Sequence, residues 1–109
     1  MTQATTVSTH VLDTARGRPA TGVPVELSVR PAGGADWVAH AASRTDADGR
    51  CKDLPALPEG TTQVRLRFET ESRGPFFPEV TAVFAVEPGE HYHVPLLLTP
   101  FGYSVYRGS

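Results

Sequence analysis

Apolar and polar residues alternate with a period of two along most of this chain. Val7, Thr9 and Val11 share one face of a first extended segment, and Ser8, His10 and Leu12 share the other. Val23, Val25, Leu27 and Val29 mark the inner face of a second, against Glu26, Ser28 and Arg30. Pro24 belongs at the edge or start of that strand, because it has no N–H to donate to a ladder. A third strand is predicted near Trp37–Ala42. Val64, Leu66 and Phe68 point inward opposite Arg65, Arg67 and Glu69, and Val80, Ala82, Phe84 and Val86 repeat the pattern. His91–Leu98 and Phe101–Arg107 read as the last two strands, joined by a tight turn at Thr99-Pro100. Between strands lie the loop Asp13–Gly22, the turn Pro31–Asp36, the run Thr45-Asp46-Ala47-Asp48-Gly49 and the pair Pro88-Gly89. Arg50 opens a short extended piece that ends at Pro55 and Pro58.

No long segment carries apolar residues at helical spacing, and glycine and proline punctuate the chain at roughly the interval of a sandwich or barrel. The pattern predicts an all-β fold of seven or eight short strands in two packed antiparallel sheets.

Composition narrows the function. With 109 residues the chain fits one domain, 1–109, with a single core. A net charge of −2 lacks the basic face that nucleic acid requires. No apolar stretch reads as a membrane span, and Met1–Val7 is too polar for a signal peptide. The lone Cys51 cannot form an internal disulfide and favours a reducing compartment, so a cytoplasmic setting is expected.

The polar residues with chemical potential are His10, Arg50, His91, His93, Tyr106, Arg107 and Ser109. His91 and His93, two apart on a strand, point to one side. They read first as solvated side chains, second as catalytic groups, and third as zinc ligands with His10 or His40 completing the set. Residue spacing excludes none of these.

Three separated motifs resemble the 5-hydroxyisourate hydrolases of the transthyretin-like family. The first is Ser8-Thr9-His10-Val11-Leu12-Asp13 with Gly17-Arg18-Pro19-Ala20, and the second is Thr45-Asp46-Ala47-Asp48-Gly49-Arg50. The third runs from His91-Tyr92-His93-Val94-Pro95 to the ending Tyr106-Arg107-Gly108-Ser109. The resemblance implies a sandwich of two four-stranded antiparallel sheets, assembled as a homotetramer with sites in a channel between dimers. It implies hydrolysis of 5-hydroxyisourate to 2-oxo-4-hydroxy-4-carboxy-5-ureidoimidazoline in urate catabolism, with no metal and no cofactor.

On the same basis His10, His93 and Ser109 are the expected catalytic residues. Arg50, Tyr106, Arg107 and Gly108 are expected to bind substrate, with Tyr106 walling the pocket and Ser104 lining the same cavity. His91 matches no functional position. Pro95 and Leu97, on the face of His93, would form an apolar strip for the assembly to cover. One departure stands out: Glu69-Thr70-Glu71-Ser72-Arg73-Gly74 runs almost directly into Pro75-Phe76-Phe77-Pro78, too short for the family's helix. The competing expectation is a transthyretin-like carrier of small ligands, without catalysis.

Overall fold

The computed structural model describes residues 3–34 and 36–108. The described residues form β1 (Thr6–Asp13), β2 (Arg18–Pro19), β3 (Pro24–Pro31), β4 (Val38–Arg44), β5 (Arg50–Cys51), β6 (Thr61–Glu69), β7 (Glu79–Ala85), β8 (His91–Thr99) and β9 (Gly102–Val105). One sheet runs β4-β3-β6-β7, and the other runs β2-β1-β8-β9 with β5 also paired to β1.

The alternation read from the sequence decides which face each strand buries. Val7, Thr9 and Val11 of β1 and Tyr92, Val94, Leu96 and Leu98 of β8 are buried. They pack on Val25, Leu27 and Val29 of β3 and Val64, Leu66 and Phe68 of β6. Removing these side chains from water supplies the main force holding the sheets together, at about 25 cal/mol per Å² of apolar surface. Cys51 faces this core, and burial pushes its thiol above the ordinary value, so it is an inert packing residue.

Two features extend the two-sheet expectation. β2 and β5 are two-residue strands, too short for alternation to reveal them. They bring the sheet built on β1, β8 and β9 to five strands. β1 and β8 pair in parallel, while the other strand pairs run antiparallel. A parallel pair needs a long crossover, which the whole chain between residues 13 and 91 provides.

The family's helix is reduced to one 3-10 turn, Glu71–Arg73, with no buried residue. Tertiary contacts hold this segment instead. Arg73 donates to the Thr21 carbonyl at 2.6 Å and lies 4.0 Å from the buried Asp13 carboxylate. Phe76 meets Phe77 and Phe101 edge-on, and Phe77 meets Tyr103 at 5.0 Å. No helix among the described residues is long and apolar enough to cross a membrane.

Candidate active site

Strand register alone assembles a polar cluster. Along the parallel pair, Thr6 lies opposite His91, Ser8 opposite His93 and His10 opposite Pro95. Across the antiparallel pair, His10 lies opposite Arg50. Directly opposed residues share a face. Thr6, Ser8, His10, Arg50, His91 and His93 therefore stand together on the outer face, with the core on the other side.

The turn before β5 fixes Arg50 there. Asp46 Oδ1 accepts the backbone N–H groups of Arg50 at 3.0 Å and Asp48 at 2.9 Å. Those bonds hold the Asp46 carboxyl below the usual carboxylate range, the one from Arg50 most of all. Gly49 has φ +77°, and a β-carbon on it would sit 2.4 Å from the Val11 carbonyl oxygen. Only glycine lets this turn close on β1. The same turn presents the Asp48 carbonyl to His10 Nε2 at 2.9 Å. A carbonyl only accepts, so His10 Nε2 carries a proton and the side of the ring that faces away from the turn is Nδ1.

His93 is fixed from two sides. Its Nδ1 is 2.8 Å from the Ser8 hydroxyl. The tail crosses its backbone, and the Gly108 N–H donates to the His93 carbonyl at 2.7 Å. A β-carbon at Gly108 would come within 2.8 Å of His93 Cδ2 and 3.4 Å of Pro95 Cγ. Burial, then the nearby Arg50 guanidinium and the His10 and His91 rings, holds the His93 imidazole below its ordinary value. His93 is therefore neutral at pH 7. The His10 and His93 ring centroids are 6.5 Å apart, too far for a direct hydrogen bond but a span that one bridging oxygen can fill.

Not every expected residue joins this cluster. β9 ends at Val105 rather than running to Arg107, and Tyr106 donates its N–H to the Pro95 carbonyl at 3.4 Å. The Arg107 guanidinium lies 4.5 Å over the inward-facing Tyr92 ring and 3.6 Å from Glu90. Tyr106 lines a groove between the β7 and β9 edges, beside Thr81, Phe84 and Tyr92. Within one chain Tyr106 and Arg107 thus stand beside Tyr92 and Glu90, away from the cluster. Ser104 and Tyr106, expected in one cavity, separate: Ser104 pairs with Leu97 on the outer face. The expected apolar strip shrinks as well, because Pro95 is buried beneath the tail and Leu97 half-buried. Ser109 lies outside the described residues. His40 belongs to the other sheet, where its Nε2 donates to the Ala56 carbonyl at 2.8 Å. Among the described residues no three His, Cys, Asp or Glu side chains are grouped to hold a metal ion.

Two participants escaped the sequence reading. Ser8 and Thr6 link the histidines: His91 Nδ1 is 2.6 Å from the Thr6 hydroxyl, and His91 Nε2 is 3.0 Å from Ser8. Their signal was the alternation itself, which placed Ser8 on the face of His10.

The family model described as HIUase/Transthyretin matches residues 7–108. The chain belongs to this family. It is 41% identical over 118 residues to the 5-hydroxyisourate hydrolase of Mus musculus, covering 99% of this chain and 98% of that protein. It is 44% identical over 119 residues to the uric acid degradation bifunctional protein TTL of Arabidopsis thaliana, covering 94% of this chain but only 37% of that longer protein. Among solved structures, the Klebsiella pneumoniae 5-hydroxyisourate hydrolase superposes with a TM-score of 0.77 at 34% identity, over 94% of this chain and 98% of that one. Sea bream transthyretin in complex with thyroxine superposes with a TM-score of 0.82 at 30% identity, over 94% and 93%. Within this family the backbone does not separate enzyme from carrier; the side chains on the outer face must.

Proposed function

We propose that the cluster on β1, β5 and β8 hydrolyses 5-hydroxyisourate in urate catabolism. The observation that carries this reading is the grouping of His10, Arg50 and His93 on one sheet face by strand register. An arginine and two histidines brought together by register suit acyl-carbon hydrolysis better than the retention of an apolar ligand.

In this mechanism a water sits between His10 and His93. His93 takes one of its protons, and the resulting hydroxide adds to the acyl carbon of the six-membered ring. The Arg50 guanidinium offers fixed donors to the oxyanion that develops. The ring C–N bond then breaks, and the leaving nitrogen receives the proton held on His93. His10, anchored on Asp48, orients the water. Ser109 takes the place of a further water-positioning group, and Gly108 seats the tail on His93. The cycle uses no metal and no cofactor, so prolonged EDTA treatment is expected to leave turnover intact. Loss on EDTA with recovery on zinc would contradict that.

In one chain the cluster is an open sheet face, and the groove between the β7 and β9 edges is lined by Tyr106 and by apolar side chains. A homotetramer that covers these surfaces and encloses the site belongs to the reading, as does a cytoplasmic setting. Light scattering that finds an active monomer would remove the tetramer.

The test of function is turnover of 5-hydroxyisourate generated in place from urate and urate oxidase, followed by its absorbance loss. Acceleration over the spontaneous decay is expected. Tight binding of a small aromatic ligand with no acceleration would favour the carrier instead.

A further inference from the structure

We infer that Ser8 and His91 are positioning residues for this hydrolysis: they hold the proton of the His93 ring on Nδ1 and so keep Nε2 open as the base. The inference rests on the hydrolase reading for its purpose, and on the hydrogen-bond geometry for its substance.

Four side chains form one continuous line across β1 and β8. Thr6 Oγ1 to His91 Nδ1 is 2.6 Å, His91 Nε2 to Ser8 Oγ is 3.0 Å, and Ser8 Oγ to His93 Nδ1 is 2.8 Å. The parallel register makes the line possible, because it sets Thr6 beside His91 and Ser8 beside His93 on one face. A serine hydroxyl has a single proton to donate. While both rings are neutral and the Ser8 proton is donated within the line, the line has two consistent orders.

In one order Ser8 donates to His93 Nδ1, accepts from His91 Nε2–H, and leaves the proton of His93 on Nε2. A ring in that state has no lone pair to offer the water. In the other order His93 Nδ1–H donates to Ser8, Ser8 donates to His91 Nε2, and His91 Nδ1–H donates to Thr6. Now Nε2 carries the lone pair. The tautomer of a histidine is set by the bond its other nitrogen makes, and here that bond is set by a second histidine. His91 is exposed, so the far end of the line exchanges protons with solvent.

The charged and titratable groups facing His93 are Arg50 from β5, His10 from β1 and His91 from its own strand. Among the described residues none of them is hydrogen-bonded to Nδ1, and Ser8 is. Ser8 is thus, among the described residues, the contact through which the His93 proton is placed.

The test uses the full chain with 15N-labelled histidine. The ring nitrogens of His93, assigned by comparison with His93→Gln, are followed near neutral pH beside steady-state kinetics. In the wild type Nδ1 is expected to resonate as protonated and Nε2 as unprotonated. Ser8→Ala should lose that order, drop kcat roughly tenfold, the upper end of one hydrogen bond's contribution, and leave KM nearly unchanged. Ser8→Thr, which keeps the hydroxyl, should restore both the resonances and kcat. His91→Phe should weaken the order with a loss of about threefold, within the same range. A wild-type His93 protonated on Nε2, or a Ser8→Ala protein with unaltered resonances and kcat, overturns the inference. The two readings fail separately. A chain with the Nδ1–H tautomer that turns nothing over sinks the hydrolase and leaves the positioning line standing. Turnover with the opposite tautomer does the reverse.

Discussion

The two outer sheet faces carry similar residues and treat them in opposite ways. On the β4-β3-β6-β7 sheet, Arg67 donates to Glu79 at 2.7 Å, Glu26 at 3.1 Å and Glu69 at 3.2 Å. The bonds to Glu79 and Glu69 hold its proton more firmly than usual. On the β1-β8 sheet, Arg50 makes no ion pair among the described residues: Asp46 accepts its backbone N–H, and its guanidinium is left beside the His93 imidazole. On one face the guanidinium is already committed to carboxylates. The other keeps an uncommitted guanidinium beside a neutral imidazole, which is the state a polar substrate can use. Polar residues at alternate positions therefore say little until their partners are known.

The comparison breaks most sharply at the histidines. His93→Ala and His10→Ala should each cost roughly 10²- to 10⁴-fold in turnover, the span of a positioned acid–base group. Arg50→Gln should cost roughly 10²-fold through the lost oxyanion donors. Melting temperatures should change little, because these side chains lie outside the core. Steady-state kinetics with differential scanning fluorimetry checks both. Near-wild-type turnover in His93→Ala would move the chemistry off this face.

Gly108→Ala sharpens the same boundary from the tail side. The new β-carbon would meet His93 Cδ2 at 2.8 Å, so either the ring or the tail must shift. A displacement of that kind in a reacting group costs roughly 10- to 100-fold. The core is untouched, so kcat should fall with the fold intact. Unchanged kcat would mean that the tail does not fix His93.

How far these faces could be told apart from the sequence differs by feature. Alternation gave the inward sets of β3, β6 and β7 and the two faces of β1, because a period of two follows directly from strand geometry. It could not give β2 or β5, which have two residues each, nor the parallel pairing of β1 with β8. Yet that pairing is what brings Ser8 to His93. Arg50 and His93 were legible only through resemblance, since a charged residue after a turn is ordinarily solvated. Where Tyr106 and Arg107 stand within one chain was not legible, because Arg107 lies over the Tyr92 ring, a contact that no local pattern encodes. The shortened segment after β6 was legible by length alone, since too few residues separate Glu69 from Pro75 to complete a helix.

pH offers a gentler probe. His93 is held below the ordinary imidazole value of 6.5, so it stays neutral to lower pH than a free histidine. The acid limb of kcat/KM should therefore fall below pH 6.5. The same shift has a consequence for stability. Between the folded and unfolded values the unfolded chain binds more protons, so lowering pH through that window destabilises the fold. His93→Gln should flatten the pH dependence of melting there. An acid limb above 6.5 would assign the rate to another group.

The smallest effect on activity should come from the other face. Arg67→Gln removes the cation that Glu26, Glu69 and Glu79 share. Three carboxylates are then left close together, and their repulsion should lower the melting temperature in a way that added salt reverses. Glu79, whose carboxyl is held low chiefly by its bond from Arg67, should titrate nearer the ordinary range. None of this reaches β1, β5 or β8, which lie across the core, so turnover should stay within about twofold of the wild type, as for distant surface changes in general. Arg50→Gln is the mirror image: activity lost, melting nearly unchanged, since it leaves no cluster of carboxylates behind. The two variants differ by one glutamine placed on either sheet. If Arg67→Gln lost as much turnover as Arg50→Gln, the faces would not be independent, and the contrast between a committed guanidinium and an uncommitted one would fail.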